Sequence, residues 1–309
     1  MFRSLRSPCR LLVALWSFLL AAGAATAQDL EPKAYAASPT DAGFVVVAVS
    51  RLAGGLVFDP TVPLTDVKAT FGIGTIAGGY TFGLLGKLAL VTAAVPIASG
   101  ELTGFLNDDA RSTYRNGLAD ARFKLSVNLR GNDAMRASAF AKAPRRTIVG
   151  TSLTVAAPTG EYDGAKLINI GTNRWAVKPE LGVAVPAGRW DVDAYAGVWL
   201  FTANGDFFPG GQRRTQEPVL AVQAHVGYTF RPRLWLAVDT TWYGGGQARV
   251  EGGAPGTGLN NSRLGATLSL PVGRSQSLKV AYSSGVSVRT GTDFDTLSVG
   301  WQKLWLARR

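Results

Sequence analysis

The stretch Trp190-Asp191-Val192-Asp193-Ala194-Tyr195-Ala196-Gly197-Val198-Trp199-Leu200-Phe201 decides how this chain folds. Trp190, Val192, Ala194, Ala196, Val198 and Leu200 share one parity, and Asp191, Asp193, Tyr195, Gly197, Trp199 and Phe201 share the other. A period of two marks a strand, because successive side chains of an extended backbone point to opposite faces. The alternation recurs downstream. Leu220, Val222, Val226 and Tyr228 oppose Gln223 and His225, and Leu234, Leu236, Val238 and Trp242 oppose Trp235 and Asp239. Leu264, Ala266 and Leu268 oppose Arg263, and Leu278, Val280 and Tyr282 oppose Lys279.

Between these runs the punctuation is asymmetric. Pro186-Ala187-Gly188-Arg189, Arg231-Pro232-Arg233 and Pro271-Val272-Gly273-Arg274 read as tight turns. The opposite connections, Glu101 to Leu118, Tyr162 to Arg174, Ala203 to Glu217 and Gly244 to Asn261, read as longer polar loops. Short turns at one end and long loops at the other are the signature of a transmembrane antiparallel β-barrel. The runs place about twelve strands near 43–53, 66–82, 87–101, 118–130, 147–159, 174–186, 189–202, 217–230, 233–246, 262–271, 275–290 and 293–305, with ten or fourteen as the alternatives. One turn is irregular: Gly131 to Arg146 is rich in Ala and basic residues, and Asp133 to Lys142 reads as a short helix capped by Asp133.

Composition fits the same architecture. The 309 residues include 47% hydrophobic, 17% charged and 37 Gly, with a formal charge of +11. Arg3, Arg6 and Arg10 precede an apolar run from Leu11 to Ala22, and Ala25-Thr26-Ala27 supplies a small-x-small cleavage site, so residues 1–27 read as a signal peptide. Its removal takes away three Arg and the single Cys9, leaving 29 basic against 21 acidic residues, a net +8. The mature chain has no thiol for a disulfide, and its one His is too few for a Cys/His metal centre, so no cofactor or metal is expected. Residues 28–42 then form a periplasmic N-terminal segment and 43–309 the barrel, in the outer membrane of a Gram-negative bacterium.

Trp175, Trp190, Trp242, Trp301 and Trp305, with Tyr228 and Phe230, fall near strand ends, where amphipathic rings settle at a membrane interface. Leu297, Val299, Trp301 and Trp305 keep one parity in the last strand, as an outer-membrane assembly signal requires, although Lys303 interrupts it and four residues follow Trp305. An ordinary β-sandwich, with the apolar parity as its core, is the competing fold. The expected partners are outer-membrane lipids, the barrel assembly machinery and a small-molecule solute. Lys and Arg are scattered without a recognition motif, so nucleic acid is not among them.

If the apolar parity meets lipid, the lumen is lined by Arg122, Lys124, Lys178, Glu180, Asp191, Asp193, Gln223, His225, Asp239, Arg263, Lys279 and Arg289. Charges of both signs either pair across a narrow interior or line a water-filled path. A barrel hydrolase would need His225 as base, with Asp239 to orient it, yet no Gly-x-Ser-x-Gly elbow accompanies them. Gly72-Ile73-Gly74 lacks the strand-then-helix setting of a dinucleotide site, and Asn107-Asp108-Asp109 is three polar neighbours in a loop.

Leu30-Glu31-Pro32-Lys33-Ala34-Tyr35, Val57-Phe58-Asp59-Pro60, Leu167-Ile168-Asn169-Ile170-Gly171-Thr172-Asn173-Arg174-Trp175 and Lys178-Pro179-Glu180 together resemble the transporter-like outer-membrane family labelled "meta-pathway of phenol degradation". The resemblance implies a barrel channel for passive uptake of small hydrophobic or aromatic compounds and carries no catalytic motif. The rival readings are a closed structural barrel and the His225 hydrolase.

Overall fold

The computed structural model describes residues 31–57, 64–106 and 109–307. The signal peptide and its cleavage site, Phe58-Asp59-Pro60 and Asn107-Asp108 lie outside the described residues.

Hydrocarbon offers no hydrogen-bond partner, so a sheet that crosses it must close on itself. This one does. β1 (Ala42–Val57) pairs with β2 (Leu64–Leu84) on one side and with the last strand, β16 (Gly291–Leu306), on the other. β3 (Lys87–Leu106) pairs with β2 and then with both β4 (Asp109–Leu118) and β5 (Arg122–Arg130), which follow one another as a single wall strand interrupted at 119–121. The wall continues through β6 (Ile148–Ala156), β7 (Ala176–Ala187), β8 (Trp190–Phe201), β11 (Val219–Arg231), β12 (Leu234–Gly245), β14 (Leu259–Pro271) and β15 (Gln276–Ser287). Counting β4 and β5 as one, the barrel has twelve antiparallel strands. β9 (Asn204–Phe207), β10 (Gln212–Gln216) and β13 (Ala248–Val250) form a small separate sheet within the long connections.

Burial is inverted relative to a β-sandwich. Val238 is 51% exposed and its neighbour Asp239 is fully enclosed at 0%. Val192, Leu220, Val226, Leu236 and Leu264 likewise face outward, while Asp193, Gln223, His225 and Arg263 are buried. A water-soluble fold would expose the charges and bury the valines, so this polarity requires lipid outside. Trp175, Trp190 and Trp305 are half-exposed, and Trp190, Tyr228 and Phe230 pack edge to face with centroids 4.8 and 4.9 Å apart in a girdle at the short-turn end. By the rule that short turns are periplasmic, this end faces the periplasm.

Three local expectations are corrected. Glu101 to Leu118 is not a loop: β3 runs to Leu106 and β4 starts at Asp109, with Glu101 opposite Tyr114 and Thr103 opposite Ser112. Leu102 at its base is buried with Phe71 and Phe294, and most residues of β4 are exposed, so the alternation is weak in the sequence. The helix expected at 133–142 shrinks to one turn, α1 (Ala137–Phe140), with Arg136 at its N-cap and no side-chain cap. Asp133 cannot cap it, because its carboxylate is held by Lys87 at 2.7 Å. β15 ends at Ser287, two residues short of Arg289.

Because side chains on the outer parity of β12 contact acyl chains, Val238→Arg should destabilise the barrel by about 2–4 kcal/mol in urea titrations with phospholipid vesicles. Val238→Leu should change stability by less than about 1 kcal/mol. The unheated native protein should migrate ahead of the boiled one on a gel.

Candidate functional site

Strand register sets the lumenal wall. His225 stands opposite Asp193 on β8 and opposite Asp239 on β12, while Ser152 on β6 stands opposite Glu180 on β7. Acidic side chains thus line one sector from β7 to β12. His225 Nδ1 lies 2.7 Å from Asp239 Oδ1, and Thr267 donates to Asp239 Oδ2 at 2.8 Å. Lys178 pairs with Glu180 at 2.8 Å.

The N-terminal segment occupies this sector. Residues expected below the barrel instead enter it, and they are held by charge on both sides. Glu31 pairs with Lys124 at 2.5 Å, and Lys33 pairs with Asp191 while its backbone N–H donates to Asp193 Oδ2 at 3.0 Å. Ala34 N–H donates to the Tyr195 hydroxyl at 3.1 Å. Tyr35 is buried: its hydroxyl shares a 3.0 Å hydrogen bond with Ser152 and donates to Glu180 Oε1 at 3.1 Å. Its ring fits where Gly150 and Gly182 carry no side chain, since a Cβ at either would lie 2.3 or 2.2 Å from a ring carbon.

The irregular turn packs against the same segment and its anchor. Thr40 N–H donates to Met135 O at 2.8 Å, and Asn132 donates to Ser38 O at 3.2 Å. Arg145 donates to Gly188 O at 2.8 Å and ion-pairs with Asp191, so Asp191 joins the insertion to Lys33.

The opposite sector has a different chemistry. A cavity of about 410 Å³ is lined there by Ser50, Leu52, Ile73, Thr75, Phe294 and Ser298, with Glu31, Arg122 and Arg263 also at its surface. Such a volume holds one small organic molecule. Ser50 and Ser298 hydrogen-bond each other at 2.7 Å, so these walls ask little of a ligand in polar contacts.

Of the twelve lumen candidates, Lys124, Lys178, Glu180, Asp191 and Asp193 gather around the N-terminal segment, and Asp239 and His225 form the adjoining pair. Arg263 donates to Ser283 Oγ at 3.1 Å and to Phe294 O. Lys279 lies 5.9 Å from the Trp235 ring centre. Gln223 is buried, with its Oε1 unpartnered among the described residues. Arg289 is the exception. It is exposed beyond the end of β15, off the ladder that fixes inward parity, and its backbone N–H donates to Asn261 Oδ1 at 3.0 Å. As for the hydrolase, His225 Nε2 has no hydrogen-bond partner among the described residues, which leaves the pair without the nucleophile contact that acyl transfer needs.

The family model described as "Putative MetA-pathway of phenol degradation" matches residues 40–302. The chain belongs to this family. Its fold is shared with an outer membrane channel from Pseudomonas putida F1, at 19% identity and a TM-score of 0.73, covering 90% of this chain and 100% of that one. The transport unit of the autotransporter AIDA-I from Escherichia coli is similar at 10% identity and a TM-score of 0.54, covering 96% and 99%. No curated protein matches. In this family member the segment with Glu31, Lys33 and Tyr35 precedes the matched span. Parity alone puts Tyr195 on the inward face, but nothing in the chain marks Glu31, Lys33 and Tyr35, or Ser152, Gly150, Gly182 and Arg145, as parts of one site. Only the presence of two glycines on inward parities hinted that something closely approaches the wall.

Lys124 is the main cause that holds the Glu31 carboxyl well below its ordinary range, at about 2, with burial opposing it. A depressed acid stabilises the bound state above its ordinary pKa and loses that contribution as pH falls through the depressed value. A nitroxide on Ala37→Cys, in a mature chain free of other cysteines, should therefore stay immobile from pH 8 to about 4 and gain mobility as the pH approaches about 2. Glu31→Gln should show raised mobility at pH 7.

Proposed function

We propose that the chain is a passive outer-membrane channel for small hydrophobic or aromatic solutes, closed in this conformation by residues 31–36. The carrying observation is that part of the lumen is filled by a segment separable from the wall, docked through side chains beside a cavity of about 410 Å³. A barrel meant to stay closed can fill its interior with wall side chains alone, as small barrels do. Two findings support the reading: the similar Pseudomonas putida F1 protein is an outer membrane channel, and the family description names phenol degradation.

The walls favour the solute class. Leu52, Ile73 and Phe294 supply apolar contact, and Ser50 and Ser298 share one hydrogen bond, so the walls suit a neutral molecule of limited polarity. Ions would meet Arg122, Arg263 and Glu31, whose mixed signs select strongly for neither charge.

Opening requires Tyr35 to leave its slot. Tyr35→Ala removes a buried aromatic, which costs about 3 kcal/mol or more. The open fraction should rise about a hundredfold, seen as longer openings in planar bilayers and faster swelling of liposomes in small neutral aromatic solutes. A silent Tyr35→Ala barrel that still shows the heat-dependent gel shift would overturn the channel in favour of a closed structural barrel.

A further inference from the structure

We infer that the slot occupied by Tyr35 is a binding site for phenols, with the chain's own tyrosine as its resident ligand. Beyond its Cα, the Tyr35 side chain is a para-methylphenol, and every group that recognises it belongs to the barrel wall. The backbones of Gly150 on β6 and Gly182 on β7, which stand opposite each other in register, form one surface against the ring, each too close for any Cβ. The Tyr195 ring closes one edge at 5.1 Å and 68°, in the edge-to-face arrangement aromatic pairs prefer. At the far end Glu180 accepts the hydroxyl proton at 3.1 Å and Ser152 shares a second hydrogen bond at 3.0 Å. Lys178 pairs with Glu180 Oε2 at 2.8 Å and leaves Oε1 to the hydroxyl.

This arrangement distinguishes a phenol from the molecules it most resembles. A hydroxyl donor satisfies Glu180, whereas a methyl ether or a bare arene leaves that buried carboxylate one partner short, a loss of about tenfold or more in affinity. The site names the solute class for the channel proposed above and rests on that reading for its use in transport. A free phenol that takes the slot displaces Tyr35, and with it the anchor of the closing segment, so the solute would promote its own passage. Tyr35 is tethered, and so competes at an effective concentration in the millimolar range. Wild-type protein should therefore bind free phenols weakly.

The test uses 4-fluorophenol and fluorine NMR on the folded full barrel in micelles, where bound and micelle-partitioned probe give separate signals. Tyr35→Gly empties the slot and should show a bound signal at least tenfold tighter than wild type, with 4-fluoroanisole at least tenfold weaker than 4-fluorophenol. Adding Gly182→Val to Tyr35→Gly refills the slot from the wall and should abolish the signal. The inference is overturned if folded Tyr35→Gly gives no bound signal, if the anisole binds equally well, or if the Gly182→Val double variant binds as tightly. Conductance of the same Tyr35→Gly protein separates the two ideas. A conducting variant without the signal removes the phenol site and leaves the channel, and a bound signal in a silent barrel does the reverse.

Discussion

The obligation to pair every backbone N–H and C=O within hydrocarbon governs the rest of this structure. A strand cannot satisfy it alone and an open sheet leaves two edges, so β1 must meet β16, and the chain must return twelve times to the same cylinder. Closure sorts the side chains. Val238 and Leu264 face acyl chains, and Asp239 and Arg263, one residue away, are enclosed. Polar groups so enclosed need partners, and those partners come from the opposite wall or from whatever enters the lumen.

What enters here is the chain's own N-terminus. Its charges alternate as the wall's do: Glu31 meets Lys124, and Lys33 meets Asp191 and Asp193. Asp191 also receives Arg145, which links the periplasmic insertion to the same anchor. The insertion thus contacts the N-terminal segment and shares its anchor, with Met135 before the short α1 turn and Arg145 after it. The charged sector from β7 to β12 is occupied, while the hydroxyl-lined and apolar sector around Ser50 and Phe294 keeps its cavity.

Much of the fold was legible in the chain because lipid rewards a period of two over the full length of a crossing strand. Trp190 to Phe201 could be divided into faces residue by residue, and the wall strands fall close to the ranges read from alternation. Legibility ended where lipid ended. In the hairpin joining β3 and β4 most of β4 is exposed on either parity, so a continuous ladder from Glu101 to Leu118 resembled a polar loop. Arg289 kept the inward parity but lay past the last ladder pair of β15, where parity has no meaning.

The candidate site was legible only by half. Parity alone placed Lys178, Glu180, Asp193, His225 and Asp239 inside, since that depends on neighbours in the chain. It could not reveal that Tyr35 lies against Gly150 and Gly182, or that Glu31 meets Lys124 93 residues away. The amino-acid sequence by itself determined export, strand alternation and an inside-out barrel, because these follow from local patterns read against water and lipid. Only the tertiary structure decided which wall residues converge and that the N-terminal segment docks against them. Those contacts arise from barrel closure and register, which bring distant residues together without leaving a mark on their sequence neighbours.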